Sequence, residues 1–518
     1  MIRNDMSFIL KRIVRHVTCT IALSSLCFPA MAADKKPSEP RIAIIGAGAS
    51  GLTTAYLLKK QGYRNVVVFE KADAVGGVAQ TVWVKGKAYD MATMFVPGAS
   101  ISGDGIQPLL QEMIDRSKAK LVPAVDFETL NLPANTLSPL NTFHQSFEPH
   151  ELKRQLLKGL DLMSQWAYCI ANGIDSVTCG ISDAHQPDES IYDWGQRLGI
   201  PAFTHLITYT ADALGAGPSS LSNAPRGLAG GFYWTPVEVV RVLKSLGFGV
   251  NDLPPNTADN IVSLFAANKG KGSQRWWFFQ KGYQTFWKKL VARERIRIKL
   301  SEPVTALNLV EAEGGRYWQV QTPKGSYEFD KVVAATTPRA AMHFLPDGPR
   351  KKILETAINR TPPNDVYLAE ISGYDNAGLP EQAAWWPESL GLGSIDLLNP
   401  ELGSAVKPFF WQKRHRRDVI FVGTYTLSPE VNIDQAYASV EDYARSTLGF
   451  ELTKKIAQRR YPFPAIPIDP VSWSEAWSSL QGKDGLIFIG EAFTGSGVPA
   501  ITAGLSQLVP EFFPVITQ

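Results

Sequence analysis

The sequence predicts an α/β fold, α+β overall: a doubly wound parallel sheet assembled from separated stretches of chain, beside a region of antiparallel strands and a helical lobe. Three observations predict it. A β-branched run near residue 41 ends in a glycine turn and passes into a helix-spaced segment; a similar apolar strand closes a set of alternating strands near residue 335; a third, with another glycine-rich loop and helix, ends the chain. At 518 residues the chain exceeds what one core usually serves, so two or three lobes are expected. Hydrophobic residues at 45% and charged residues at 19%, with Gly and Pro scattered, are the profile of a globular protein.

The first 32 residues carry four basic side chains and one acidic one, then an apolar run from Val17 to Ala32 that ends in Ala30-Met31-Ala32. Basic region, apolar core and small residues at a cleavage point are the order of a secretory signal. A membrane anchor is the competing reading, but the run contains Thr, Ser and Pro and falls short of the roughly 20 residues that span a bilayer. Export to the periplasm or medium, with cleavage after Ala32, is therefore expected. Cleavage brings the formal charge from +3 to 0 and leaves no basic surface for nucleic acid and no stable membrane anchor. The mature chain keeps Cys169 and Cys179. In an oxidising compartment they are candidates for a local disulfide, with two free thiols as the alternative.

The stretch "RIAIIG" reads as a buried strand ending at Gly46, and "SGLTTAYLLKKQG" as a helix with Gly62 at its C-cap. Strand, tight turn and helix are the context that gives Gly46-x-Gly48-x-x-Gly51 meaning as a Rossmann-type fingerprint. Gly46 permits the turn, Gly48 lets backbone approach a pyrophosphate, and Gly51 lets helix and strand pack closely. Ala49 and Ser50 begin the helix, whose free N–H groups and positive dipole end face phosphates. A second strand, "VVVFE", ends in Glu70, where a carboxylate accepts ribose hydroxyls and repels a 2′-phosphate; NADP is disfavoured. NAD and FAD are equally served to this point. The continuation "EKADAVGG", with Lys71 after the carboxylate and Gly76-Gly77 ahead of Val78, decides for FAD.

In these residues the sequence resembles the large flavoprotein superfamily of FAD-dependent amine oxidases and phytoene desaturases, whose second glycine pair lies along the FAD pyrophosphate. The resemblance returns in "IRIKLSEPVTALNLVEAEGGRYWQVQTPKGSYEFDKVVAATTP", where it implies that Val304 meets the adenine through its backbone. It closes in "DGLIFIGEAFTGSGVPAITAGLSQLV", where it places Gly490 and Glu491 near the ribityl chain and the backbone at Val498 against the flavin pyrimidine, with Pro499 in the first helical turn. Thr93 and Met94 fall beside the flavin by the same resemblance. Two positions depart from it: Val78 stands where many members carry arginine, and Ala92 where the pattern has glycine.

The expected organisation is a signal peptide at 1–32, a linker at 33–39, FAD-binding segments at 40–115, 285–345 and 455–518, a helical substrate lobe at 116–284 and a substrate-domain antiparallel sheet at 346–454. The three segments make one discontinuous FAD-binding domain. Helical spacing is read in "ELKRQLLKGLDLMSQWAYCIANG", "SIYDWGQRLG", "AFTHLITYTADALGAG" and "PVEVVRVLKSLGFG". Aromatic clusters supply Trp277, Phe279, Phe410 and Trp411 as candidate substrate contacts, since alternation puts half of each cluster on one face; a plain sheet core explains them equally. The basic run at Lys413 to Asp418 reads as a hairpin turn. The seven histidines show no paired ligand spacing, so no metal site is expected.

Outside the FAD motifs, "TADALGAGPSSLSNAPRGLAGGFY", "WWFFQKGYQTFWKKL" and "YPFPAIPIDP" are similar to stretches of flavin-dependent polyenoic fatty acid isomerases. That implies hydride transfer between flavin and an apolar small molecule, with double-bond isomerisation of a polyunsaturated lipid and no obligatory acid–base side chain. No arginine in "KAKLVPAVDFETL" matches the basic residue with which such enzymes anchor a substrate carboxylate. An amine or amino-acid oxidase producing hydrogen peroxide, and an accessory protein with structural FAD, are the alternatives.

Overall fold

The computed structural model describes residues 39–100, 103–123, 128–131, 136–139, 147–172, 191–204, 235–257, 259–267, 276–313, 315–357, 364–373, 384–385, 406–413, 418–426, 431–461, 480–494 and 497–516. The chain divides into two units, Met1–Glu39 and Pro40–Gln518, and all the described residues but Glu39 belong to the second. The expected signal peptide lies outside the described residues, as does Cys179; Cys169 belongs to the helix Pro149–Asn172, with its side chain undescribed. No helix among the described residues is long and apolar enough to cross a membrane.

Five short strands, β1 (Ile42–Ile45), β2 (Val66–Phe69), β3 (Ile298–Lys299), β4 (Lys331–Ala334) and β5 (Leu486–Phe488), form one parallel sheet in the order β3-β2-β1-β4-β5. In register, Ile44 lies beside Val68 and Val333, and Val333 beside Ile487. Both faces are covered, which is why β1, β2 and β5 read as unbroken apolar runs. Successive side chains alternate across the sheet. Ile42, Ile44, Val68, Val333 and Ile487 pack under helices α1 (Ala49–Lys60), α2 (Tyr283–Glu294) and α3 (Val498–Phe512). Ala43, Ile45, Phe69, Val332 and Phe488 pack under the three-stranded sheet 306–329 through Leu307, Trp318, Val320 and Phe329.

α1 ends as its glycine predicts. Gly62 adopts φ +98°, its N–H donates to Lys59 O, and the N–H of Tyr63 reaches back to Leu58 O, a Schellman closure. The expected helices appear at Pro149–Asn172, Ile191–Leu198 and Thr235–Ser245; most of the segment after Ala202 lies outside the described residues.

The second sheet is antiparallel, in the order 384–385, 406–413, 419–426, 364–372, 451–461, with the helix Ile433–Tyr443 over Tyr367, Ile420 and Val422. Strands 406–413 and 419–426 pair antiparallel with Lys413 opposite Ile420, while residues 414–417 of the basic run lie outside the described residues. Two expected boundaries need correction. The strand Glu451–Tyr461 runs beside Asn364–Ser372, so a break at 455 cuts an element of the antiparallel sheet. A break at 284/285 cuts α2, whose Tyr283, Phe286 and Trp287 are buried in the core under the parallel sheet.

Candidate functional site

The site is built where three distant segments meet at the C-terminal ends of β1, β2, β4 and β5. Gly46 leaves β1 at φ +106° with its N–H on Phe69 O at 2.8 Å, and a Cβ there would lie 2.6 Å from Ala335 O. A Cβ at Gly51 would overlap the Gly46 carbonyl oxygen, so only glycine lets α1 sit this close to β1. Gly48 caps α1 without a side-chain acceptor, and the first turn holds no acidic residue. The N–H groups of Ala49 and Ser50 are therefore presented at a positive helix end with no side-chain carboxylate of that turn competing for them.

The second glycine pair lies directly on the first turn. The Gly76 N–H donates to Ala47 O at 2.9 Å, and a Cβ on Gly77, at φ +58°, would come within 2.9 Å of Gly48 Cα. Ala47 also donates its N–H to Glu70 Oε2 at 2.7 Å. One buried alanine thus ties the fingerprint turn, the Glu70 carboxylate and the second glycine pair through backbone alone. Glu70 is 8% exposed, and its Oε1 accepts the Ala72 N–H at 2.9 Å. The main chain of Glu70 is pinned between Lys299 O and the Glu302 N–H, both 2.9 Å. Each carboxylate oxygen accepts one of these N–H bonds and keeps further lone-pair capacity for a hydroxyl donor. Lys71 is exposed beside it, and Val304 is partly buried against the core below the three-stranded sheet.

The closing segment meets the same place. Gly490 has φ +137°, and a Cβ there would lie 3.3 Å from Thr336 O and 4.0 Å from Ser50 Oγ. Glu491 Oε1 accepts the Gly497 N–H at 3.0 Å, so the carboxylate holds the loop that leads into α3. Gly497 caps α3 at φ +83°, and Val498, the first residue of α3, is buried.

Asp90, at the end of a hairpin, organises the site from behind. Its Oδ1 accepts the Tyr283 N–H at 2.7 Å and the Thr81 hydroxyl at 2.6 Å, placing a carboxylate at the N-terminus of α2. Gln284, next on α2, donates to Val75 O at 2.9 Å and so steadies the second glycine segment. Burial pushes the Tyr283 phenol above its ordinary value, and the Asp90 charge adds to that. Asp90 is a residue that local sequence pattern does not reach, because its partner Tyr283 lies 193 positions away. Met94 is buried and Thr93 half-buried one turn beyond.

The aromatic candidates divide. Phe279 is 1% exposed, stacked on Phe286 at 4.7 Å and packed with Trp277 on the core under the parallel sheet. This corrects the expectation for Phe279: the inward face of "WWFF" is the one holding residues 277 and 279. Phe278 points the other way, 5.2 Å from the Phe95 ring. The backbones of Phe410 and Trp411 pair with Gly423 and Val422, while their side chains lie outside the described residues.

The cradle fits a dinucleotide with a diphosphate: glycines whose Cβ positions are filled by backbone, a helix N-terminus without a side-chain cap, and a buried carboxylate one strand away. A family model described as flavin containing amine oxidoreductase matches residues 49–418. Among curated proteins, the chain is 45% identical over 200 residues to a mitochondrial protoporphyrinogen oxidase of Nicotiana tabacum, covering 38% of this chain and 36% of that one. It is 46% identical over 55 residues to a polyenoic fatty acid isomerase of Ptilota filicina, 11% of each. The match thus spans little more than a third, at most, of these relatives' length. The solved structure of a CLA-producing fatty acid isomerase from P. acnes superposes with a TM-score of 0.61 at 17% identity, covering 92% of this chain and 99% of that one.

Proposed function

The chain belongs to the flavin containing amine oxidoreductase family, an FAD-dependent oxidoreductase by class, and from that premise we propose that it acts by hydride transfer on an apolar small molecule, a polyunsaturated lipid that it isomerises. The observation that carries the cofactor half of this reading is the abutment of Gly48 and Gly77 under the same residue, Ala47, that binds Glu70. Glu70 would hold the adenosine ribose, the first turn of α1 the diphosphate, and the start of α3 at Val498 the flavin pyrimidine. When bound, FAD supplies a centre that accepts hydride from carbon and gives it back.

The chain's own residues then bind, orient and exclude water. The Phe95–Phe278 ring pair, in which Phe95 is half-buried, lies beyond the hairpin that ends at Asp90 and gives apolar contact suited to a hydrocarbon. The likeness to two proteins named as fatty acid isomerases supports the lipid reading. Amine oxidation is the second reading, supported by the family model. Export, with cleavage after Ala32, belongs to the same proposal and rests on the order of basic, apolar and small residues.

The test is anaerobic incubation of the purified flavoprotein with polyunsaturated fatty acids and, separately, with amines. Conjugated diene appearing without oxygen uptake supports isomerisation. Peroxide formed in step with an amine, once air is admitted, transfers the assignment to the oxidase reading, and a flavin that neither substrate class bleaches or turns over removes both.

A further inference from the structure

We infer that Arg459, projecting from the antiparallel sheet, supplies the positive charge that faces the diphosphate of the bound dinucleotide, a role that rests on the FAD reading above. The residues of the cradle leave that charge to be found elsewhere. Neither Gly46–Gly51 nor Gly76–Gln80 contains a lysine or arginine, and Val78 stands 46% exposed directly after the second glycine pair. A helix end offers roughly half a unit of positive charge against the two negative charges of a diphosphate.

The turn 76–80 is closed by Ala79 N–H to Gly76 O and Gln80 N–H to Val78 O, both 2.9 Å, so Gln80 is fixed relative to Gly76 and Gly77. Gln80 Oε1 accepts Arg459 Nε at 2.6 Å, a contact across 379 positions of sequence. Alternation on the strand Glu451–Tyr461 separates the two neighbouring arginines. Arg460 makes two 2.7 Å bonds to Asp365 and also reaches Val431 O, which gives it a structural duty. Arg459 lies on the opposite face and has no carboxylate partner among the described residues. Its Nη1 donates to Gln458 O at 3.1 Å, and Nη2 is unspent among the described residues. A planar guanidinium held by one edge on a glutamine presents its remaining N–H groups as a rigid fork, the arrangement that suits a phosphate. The antiparallel sheet thereby contributes a residue to the cofactor.

The experiment titrates the flavin-stripped full-length protein with FAD, ADP and adenosine, for wild type, Arg459→Gln and the double variant Arg459→Gln/Val78→Arg. The expected result is a loss of FAD and ADP affinity of about tenfold to a hundredfold in Arg459→Gln, as for loss of a charge-assisted bond, with adenosine affinity unchanged. The arginine at 78 should restore it. Unchanged ADP affinity overturns the inference. So does a loss that falls equally on adenosine, accompanied by a lower melting temperature of the ligand-free protein and no rescue at position 78, since that is the signature of a strut between sheet and turn. A wild-type chain that binds neither FAD nor ADP overturns the FAD reading and this inference together.

Discussion

Gly51 concentrates the constraint on the cradle into a single missing methyl group. Its Cβ would lie only 1.9 Å from the Gly46 carbonyl oxygen, so Gly51→Ala must push α1 off β1 and open the turn that Ala47 holds. Overpacking of this kind costs about 1–3 kcal/mol. Gly51→Ala should therefore lower stability by that amount in urea unfolding and also weaken FAD binding; a variant with wild-type midpoint and wild-type flavin retention would show that the helix has slack. The fingerprint glycines and Glu70 were readable because their spacing along the chain encodes a local turn. Ala47 was not, since it acts through its N–H and C=O and any residue type offers those. Asp90 and Arg459 are illegible for another reason: their partners Tyr283 and Gln80 lie 193 and 379 positions away, and no local pattern marks such a contact.

Single strands and helices followed their local signals closely, whereas the choice of face did not. "WWFF" forms the strand Trp276–Phe279 that its aromatic content implies, but which alternate pair turns inward is decided by Phe286 and Tyr283 on α2. A charged clasp also fixes where β1 begins. Arg41 donates its N–H to Asp330 Oδ2 at 2.7 Å and Nη2 to Oδ1 at 2.9 Å, joining β1 to the start of β4. Burial alone would raise the Asp330 carboxyl; the hydrogen bonds and charge of Arg41 outweigh it and hold it below the ordinary value. A carboxyl whose folded value is depressed contributes stability above its unfolded value, about 3.9, and that contribution is lost as pH falls through the lower folded value. Asp330→Asn should accordingly melt below wild type near neutral pH and approach it in acid. A gap in melting temperature that stays constant across that range would mean the clasp acts without its charge. The exposure of both partners keeps the effect small and salt-sensitive.

Across the whole molecule, the parallel sheet draws β1 and β2 from one end of the sequence, β3 and β4 from the middle and β5 from the far end. The three-segment plan was legible because each segment repeats the pattern of apolar strand and turn, but the extents were not: the middle and last segments are bounded by tertiary pairing, as the strand Glu451–Tyr461 demonstrates. Ending the chain before Gly490 removes α3, and with it Leu505, Val509 and Phe513 from the core over α1, as well as the Glu491 loop. Such a chain should fail to retain FAD and should show a broadened, lower thermal transition; a truncated protein that titrates normally would reduce the cofactor site to Gly46–Gly77. The same plan sets a clock on biosynthesis. β4 cannot acquire its neighbour β5 until some 150 further residues have been made, which at 5–20 residues per second is about 8 to 30 seconds. Throughout that interval Lys331–Ala334 has an unpaired edge next to an apolar face, the kind of surface that recruits other strands. A nascent chain in this condition is one that a holding factor can keep open, and the last-made strand is the one that releases it.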